Sequence, residues 1–208
     1  MRLERNFGTV ADMDPRHSVT GLVLAGGRGS RMGGVDKGLQ MLDGEPLVKH
    51  ALRRLAPQTS TLMINANRHL DVYAQFGVPV WPDAEADFAG PLAGFLAGMA
   101  HCNTEWIVTV PCDTPRFPLD FVERLASAVG KAPMAVVITE QAGLEQRQPV
   151  FCLMRRALKD DLAAYLGGGG RKIDRWLDRH GCVDVPFDDS DAFFNANTID
   201  ELRHLGSG

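Results

Sequence analysis

Residues 22–37 contain residue types that could hold a polyphosphate. An apolar, β-branched run ends at Gly26 and Gly27, and the cations Arg31 and Lys37 follow in the same loop. Glycine lets the backbone approach a bulky anion and direct its N–H groups inward. Arginine offers a planar fork and lysine a point charge, so the two suit different phosphates of a triphosphate. We therefore predict a phosphate-binding loop directly after a strand.

This loop differs from the two common phosphate-binding motifs. A P-loop places a serine or threonine after its lysine, whereas Gly38 follows Lys37 here. The third glycine of a dinucleotide-binding G-x-G-x-x-G motif would fall on Met32. The alternative interpretation is a glycine-rich connector whose charged side chains are solvated. The combination of paired glycines with two cations favours nucleotide binding.

Asp113 is the candidate metal ligand, because it follows directly on a strand that is predicted to be buried. A carboxylate in this place can bind a hard divalent cation that bridges phosphate oxygens. Asp113 could instead cap the helix predicted from Leu119, since Asp is a favoured cap residue. Pro115 and Pro118 delay that helix, so the metal role is favoured.

The elements that must position these residues can be predicted from hydrophobic periodicity. Short β-branched runs alternate with helical patterns, which indicates an α/β fold. Strands are predicted at residues 19–25, 61–65, 78–81, 106–110, 134–138 and 150–153. Helices are predicted to start at Pro46 and to cover residues 92–100, 119–129, 155–166 and 171–179, and a capping box at residues 198–201 predicts one more.

Four consecutive predicted strands end at polar segments. These segments are the glycine loop, Asn65, Asp83 and Asp113. Ligands of open parallel sheets bind beyond the carboxyl ends of the strands, so we expect the four segments to meet at one edge. The start of the helix at residues 90–94 would face the same edge. Asn65 and Asp83 could bind a base edge or a ribose hydroxyl, or they could simply form turns.

Length and composition fit a single domain. The chain has 208 residues, 45% of them hydrophobic, and a formal net charge of −4. We interpret residues 1–18 as a flexible leader and residues 19–208 as one domain. The negative charge argues against nucleic-acid binding, and no apolar run approaches the roughly 18 residues of a membrane span. The four cysteines form no C-x-x-C pair and the six histidines no zinc motif, which fits a cytoplasmic protein.

Taken together, these motifs resemble those of the molybdenum cofactor guanylyltransferases over about residues 20–205. The resemblance rests on residues 22–39, 83, 90–94, 112–113, 148–150 and 194–198. It implies a three-layer α/β/α Rossmann-like nucleotidyltransferase fold with a mostly parallel central sheet. It also implies transfer of GMP from GTP to molybdenum-molybdopterin, which gives a guanine dinucleotide cofactor and pyrophosphate.

The resemblance also implies roles for individual residues. Arg31, Lys37 and Asp113 would carry catalysis, with Asp113 holding Mg²⁺. The predicted nucleotide-binding residues are Leu24, Ala25, Gly26, Gly27, Lys37, Asn65, Asp83 and Asp113. The predicted pterin-side residues are Asn195 and Asn197, although asparagine before a helix is also common turn chemistry.

Other functions share part of this pattern. A cytidylyltransferase that makes the cytosine dinucleotide, or a nucleotidyltransferase with another small acceptor, would use the same loop and reaction, and residue chemistry alone does not choose the base. A non-catalytic nucleotide sensor is less favoured, because a binder need not assemble Asp113, Lys37 and Arg31. The expected partners are GTP and molybdenum-molybdopterin, with cofactor-delivery proteins and molybdoenzyme chaperones. Nucleic acid and membrane are not expected partners.

Overall fold

A computed structural model describes residues 18–26, 36–84, 90–141 and 143–195 of the chain. In these ranges the strands are β1 (Val19–Leu24), β2 (Met41–Leu42), β3 (Glu45–Pro46), β4 (Thr61–Asn65), β5 (Val80–Trp81), β6 (Trp106–Pro111), β7 (Met134–Gln141), β8 (Leu144–Arg155) and β9 (Val183–Phe187). The α-helices are α1 (Leu47–Leu55), α2 (Leu70–Ala74), α3 (Pro91–His101), α4 (Phe121–Val129), α5 (Lys159–Gly167) and α6 (Ile173–Asp178). Short 3₁₀ turns cover Lys37–Leu39, Ala56–Gln58, Arg156–Leu158 and Asp191–Phe193.

Seven strands form the central sheet in the order β5-β4-β1-β6-β8-β7-β9, and β2 and β3 form a separate hairpin. β1 runs parallel to β4 and β6, β4 runs parallel to β5, and β7 runs parallel to β9. β8 is antiparallel to both of its neighbours. The predicted mostly parallel sheet is therefore confirmed. It places the carboxyl ends of β1, β4, β5 and β6 at one edge.

Helices cover both faces of the sheet. Successive side chains of a strand point to opposite faces, so neighbouring residues of β1 and β6 belong to different cores. The core that involves α1 and α4 includes Val23, Leu55, Val108 and Leu125. The core that involves α3 and α6 includes Leu22, Phe95, Ile107 and Trp176. The result is the predicted three-layer α/β/α fold.

The predicted strands are all present, with some changes in length. β8 extends well beyond the predicted residues 150–153, because its polar first half pairs with β7 in a long hairpin. β9 was not predicted, since Pro186 interrupts its apolar pattern; at the edge of a sheet a strand tolerates proline. α2 and the β2–β3 hairpin were also missed because both are too short to show periodicity.

The helices of the described ranges are all too short or too polar to cross a membrane. The predicted capping box at residues 198–201 lies outside the described residues, and so does nearly all of the predicted leader. The leader and the single-domain boundaries stay predictions.

Candidate active site

The carboxyl ends of β1, β4 and β6 lie side by side. Leu24 is in register with Asn65 on one side and with Pro111 on the other. The backbone N–H of Ala25 donates to the carbonyl of Asn65 at 2.8 Å, and the N–H of Cys112 donates to the carbonyl of Leu24 at 3.0 Å. The start of the glycine loop therefore lies between the ends of β4 and β6, as the parallel topology predicted.

Asn65 and Asp83 form one hydrogen-bonded group with a third residue, Asn67. Asn65 is only 3% exposed, and its Nδ2 donates to Asp83 Oδ1 at 2.9 Å. Asn67 Nδ2 donates to Asp83 Oδ2 at 2.8 Å, while Asn67 Oδ1 accepts from the backbone N–H of Asp83 at 2.8 Å. Asp83 therefore fixes both amide groups. Asn67 was missed, although its position two residues after Asn65 and past the strand end was a usable signal.

Glycine is needed where the helix α3 approaches this group. A Cβ added to Gly94 would lie 2.5 Å from Asn65 Oδ1 and 2.6 Å from Leu24 Cδ2. α3 begins at Pro91, a residue that the first turn of a helix tolerates, and Gly90 precedes it with a φ of 116°. The first turn of α3 thus packs directly beside the end of β4, and the prediction that it faces the site edge is confirmed.

Lys37 and Asp113 meet at the same edge. Lys37 Nζ lies 3.0 Å from Asp113 Oδ2, and the two side chains are 30% and 15% exposed. Seventy-six residues separate them in sequence, so the fold and not local structure creates the pair. This juxtaposition puts one cation and one carboxylate where phosphates and a metal ion could be held.

The turn that carries Lys37 is fixed by a buried carboxylate that the sequence analysis did not identify. Asp36 is 7% exposed and caps the 3₁₀ turn by accepting from the backbone N–H of Gly38 at 3.2 Å. It also accepts from the hydroxyl of Tyr73 at 2.6 Å and from Nδ1 of His69 at 3.0 Å. Burial raises the pKa of Tyr73 far above its ordinary value, and the hydrogen bond to Asp36 is the second-largest cause. Tyr73 therefore acts as a permanent donor to Asp36.

The thiol of Cys112, next to Asp113, is buried and poorly suited to act as a nucleophile. Cys112 is buried, and burial raises the pKa of its thiol, with the negative charges of Asp113 and Asp36 adding to the effect. A thiol with a raised pKa stays protonated near neutral pH, and the thiolate is the reactive form. The raised pKa therefore argues against a nucleophilic role for Cys112.

Asp113 fits a magnesium ion whose other ligands are phosphate oxygens of a bound nucleotide and water. Within the described ranges, no group of three or more His, Cys, Asp or Glu side chains is arranged to hold a metal. Mg²⁺ is commonly bound by one or two carboxylates together with phosphate oxygens and water. A single, partly exposed carboxylate such as Asp113 suits that mode of binding.

Asn195 contacts the residue that follows Asp113. Its Oδ1 accepts a hydrogen bond from the hydroxyl of Thr114 at 2.5 Å, and Thr114 follows Asp113 directly. The exposed Asn195 is therefore attached to the loop that carries the candidate metal ligand. The predicted site residues Arg31, Gly27 and Asn197 lie outside the described residues.

An open, mostly parallel sheet that collects a glycine-containing turn, a lysine and a strand-end aspartate at one edge has the architecture of a nucleotidyltransferase. A family model described as MobA-like NTP transferase domain matches residues 21–183. The chain belongs to this MobA-like NTP transferase family.

Curated relatives agree with this assignment. The chain is 57% identical to a protein of Cupriavidus pinatubonensis named molybdenum cofactor guanylyltransferase, over 94% of this chain and 100% of the relative. It is 58% identical to a protein of the same name from Methylibium petroleiphilum, over 90% of this chain and 95% of the relative. The resemblance that the motifs indicated is therefore confirmed.

Solved structures agree on the fold. A molybdopterin-guanine dinucleotide biosynthesis protein A from Archaeoglobus fulgidus has a TM-score of 0.73 at 24% identity, covering 90% of this chain and 96% of that one. A 4-diphosphocytidyl-2C-methyl-D-erythritol synthase from Anaerococcus prevotii also has a TM-score of 0.73, at 9% identity, covering 92% and 95%. At such low identity these likenesses concern the fold alone.

Proposed function

We propose that this chain transfers GMP from GTP to molybdenum-molybdopterin, which forms the molybdopterin guanine dinucleotide cofactor and releases pyrophosphate. The observation that carries the reaction type is the Lys37–Asp113 pair at the carboxyl edge of the sheet. The choice of substrates is supported by relatives of more than half identical sequence that carry the name molybdenum cofactor guanylyltransferase.

In this proposal the nucleophile is the terminal phosphate of the pterin. One of its oxygens attacks the α-phosphorus of GTP, and the bond from that phosphorus to the oxygen of the β-phosphate breaks. The attacking phosphate is already anionic near neutral pH, so no side chain has to remove a proton. Catalysis then depends on holding the two anions in line and offsetting their repulsion.

Lys37 and Asp113 have complementary proposed roles. Lys37 binds phosphate oxygens of GTP and stabilises the charge on the departing pyrophosphate, together with Arg31. Asp113 holds Mg²⁺, which when bound neutralises phosphate charge. The buried Asp36 keeps the lysine-bearing turn in place through its hydrogen bond to Gly38.

We propose that the Asn65–Asn67–Asp83 group and the backbone of residues 24–27 bind the nucleotide. Asp83 accepts from both amide groups and thereby fixes their orientation, which is what selective hydrogen bonding to a base or ribose requires. Asn195, attached to the Asp113 loop, and Asn197 are proposed to face the pterin.

The proposed location is the cytoplasm. The four cysteines are free thiols and three of them are buried, which suits a reducing compartment. Cofactor-delivery proteins and molybdoenzyme chaperones are the proposed protein partners, because a reactive pterin has to be handed over in both directions.

The purified protein should be offered molybdenum-loaded molybdopterin, Mg²⁺ and equal amounts of GTP and CTP, with mass spectrometry of the dinucleotide. A guanine product is expected; a cytosine product would contradict the proposed base.

Lys37→Ala and Asp113→Ala are each expected to lower turnover by about a hundredfold or more, as loss of one charge-stabilising group does in other enzymes. Lys49→Ala is the matched control, since Lys49 pairs with Glu45 on an exposed surface. Near-normal turnover in Lys37→Ala or Asp113→Ala would contradict the role given to that residue.

A further inference from the structure

A polar cavity lies beside α1, and neither Asn65 nor Asp83 lines it. Its volume is about 370 Å³, and its walls come from the β2–β3 hairpin, from α1 and from the turn after β6. Arg53, Arg54 and Arg116 line it together with Asp43 and Glu45. The charges of three arginines and two carboxylates nearly cancel. Whether the cavity can bind an anion therefore depends on which of these side chains are already paired with each other.

The charges of Glu45 and Arg53 are paired. Glu45 binds Arg53 at 2.5 Å through Oε2 and Lys49 at 2.6 Å through Oε1, and hydrogen bonds from Lys49 and Arg53 lower its pKa. His50 is hydrogen-bonded to both Leu42 and Arg53. Its Nε2 must donate to the carbonyl of Leu42 at 2.8 Å, and its Nδ1 must accept from Arg53 at 3.0 Å, since an arginine can only donate.

Arg54 and Arg116 are different. Arg54 Nε donates to the carbonyl of Phe117 at 2.6 Å, which holds the guanidinium at the cavity wall. Among the described residues, no acceptor is bonded to its terminal amino groups or to the exposed Arg116. Burial lowers the pKa of Arg54, and the nearby positive charge of Arg116 is the second-largest cause of that lowering. Two carboxylates line the cavity among the described residues. Glu45 is already paired with Arg53 and Lys49, so the carboxylate of Asp43 is left to offset the charges of Arg54 and Arg116.

We propose that this cavity is an oxyanion site in which Arg54 and Arg116 bind a phosphate or pyrophosphate group. Two like charges that lie near each other repel, and a dianion bound by both removes that repulsion while using the donors that lack acceptors. The guanidinium fork matches two oxygens of a phosphate group, which a compact halide could not bridge. Arg116 is three residues after Asp113, so their Cα atoms are at most about 11 Å apart. The cavity thus adjoins the candidate active site, but its occupation does not depend on the proposed reaction.

The test is calorimetric titration of the full chain with inorganic pyrophosphate and phosphate, at low salt and with EDTA to remove Mg²⁺. Arg54→Gln and Arg116→Gln are each expected to weaken binding by about tenfold or more, the effect of losing a hydrogen bond to a charged group. Arg175→Gln, an exposed arginine on α6, is the matched control and should bind as the wild type does. Lys37 is itself proposed to bind pyrophosphate at the active site, so Lys37→Ala removes that contribution, and the binding that persists in Lys37→Ala should be weakened when Arg54→Gln or Arg116→Gln is added.

Two results would overturn the proposal. One is unchanged pyrophosphate affinity in both Arg54→Gln and Arg116→Gln; the other is loss of all binding in Lys37→Ala, which would place the anion at the active site. Arg116 is exposed, so its variant tests the site even where Arg54→Gln fails to fold. Titration with glycerol phosphate separates two sources of the same group. Tighter binding of the inorganic anion indicates a free ion, and tighter binding of the ester indicates a phosphate carried by a larger molecule.

Discussion

Replacing Tyr73 by phenylalanine should weaken the structural support of the turn that carries Lys37 while leaving Lys37 and Asp113 themselves unchanged. The change removes one hydroxyl and no other atom. That hydroxyl donates at 2.6 Å to Asp36, whose side chain caps the turn that carries Lys37. Asp36 is 7% exposed, so water has little access to replace the lost donor.

The expected cost follows from the type of bond. A hydrogen bond to a charged group contributes about 1.5–3 kcal/mol to stability, and a buried acceptor left without its donor incurs a penalty of this size. For a chain of this length each kcal/mol corresponds to about 2–4 °C in Tm, so the midpoint should fall by about 3–12 °C. A turn that shifts by about 1 Å can cost up to about a hundredfold in rate, so turnover should fall as well.

Urea unfolding and thermal melts of Tyr73→Phe measure this effect, with Tyr165→Phe as the control. Tyr165 is the other of the two tyrosines, and its hydroxyl donates at 3.0 Å to the carbonyl of Lys172 on an exposed surface. Water can replace that bond, so the control should change stability by about 0.5 kcal/mol or less. Equal stability losses in the two variants would refute the reasoning. Unchanged turnover in Tyr73→Phe would show that the Asp36 turn does not position Lys37.

Two further predictions concern packing and reactivity. Gly94→Ala should lose about 1–3 kcal/mol of unfolding free energy and bind nucleotide more weakly, because its Cβ would lie 2.5 Å from Asn65 Oδ1. Gly167→Ala, where an added Cβ meets nothing within 4 Å, should be neutral or stabilising in the same urea titration. Cys112, whose thiol pKa is raised by burial, should resist iodoacetamide at pH 8 in the native protein and react after unfolding, whereas the half-buried Cys182 should react first. Peptide mass spectrometry measures both sites, and fast native labelling of Cys112 would show that it is accessible.

Residues that form long apolar strands were predictable. β1, β4 and β6 are apolar runs that end in glycine, asparagine or aspartate, and the rule for parallel sheets is enough to bring those ends to one edge. On this rule Asn65, Asp83 and Asp113 were predicted to lie at one edge, and Asn65 and Asp83 are indeed hydrogen-bonded there. The rule does not predict which of these residues form contacts with each other. Lys37 and Asp113, for example, are 76 positions apart in the sequence, and only the folded structure shows that they form an ion pair.

The residues that were missed belong to short or interrupted elements. Tyr73 lies in α2, a five-residue helix, and in the sequence its aromatic ring is typical of any core residue. His69, just before that helix, has a left-handed backbone (φ 49°), which local sequence does not predict for histidine. Their common partner, Asp36, is identified only when the loop after β1 and the start of α2 are seen together.

The ion pair between Lys37 and Asp113 has a consequence for how ligands bind. At 3.0 Å each charge is the other's counterion. A cation taken up by Asp113 would release Lys37 for phosphate, and a phosphate bound by Lys37 would release Asp113 for the cation. On the proposed roles, magnesium and nucleotide are therefore linked ligands, and each must raise the affinity for the other by the same factor. On these roles, either ligand alone would have to break the Lys37–Asp113 ion pair, whereas the two ligands together would replace both of its charges.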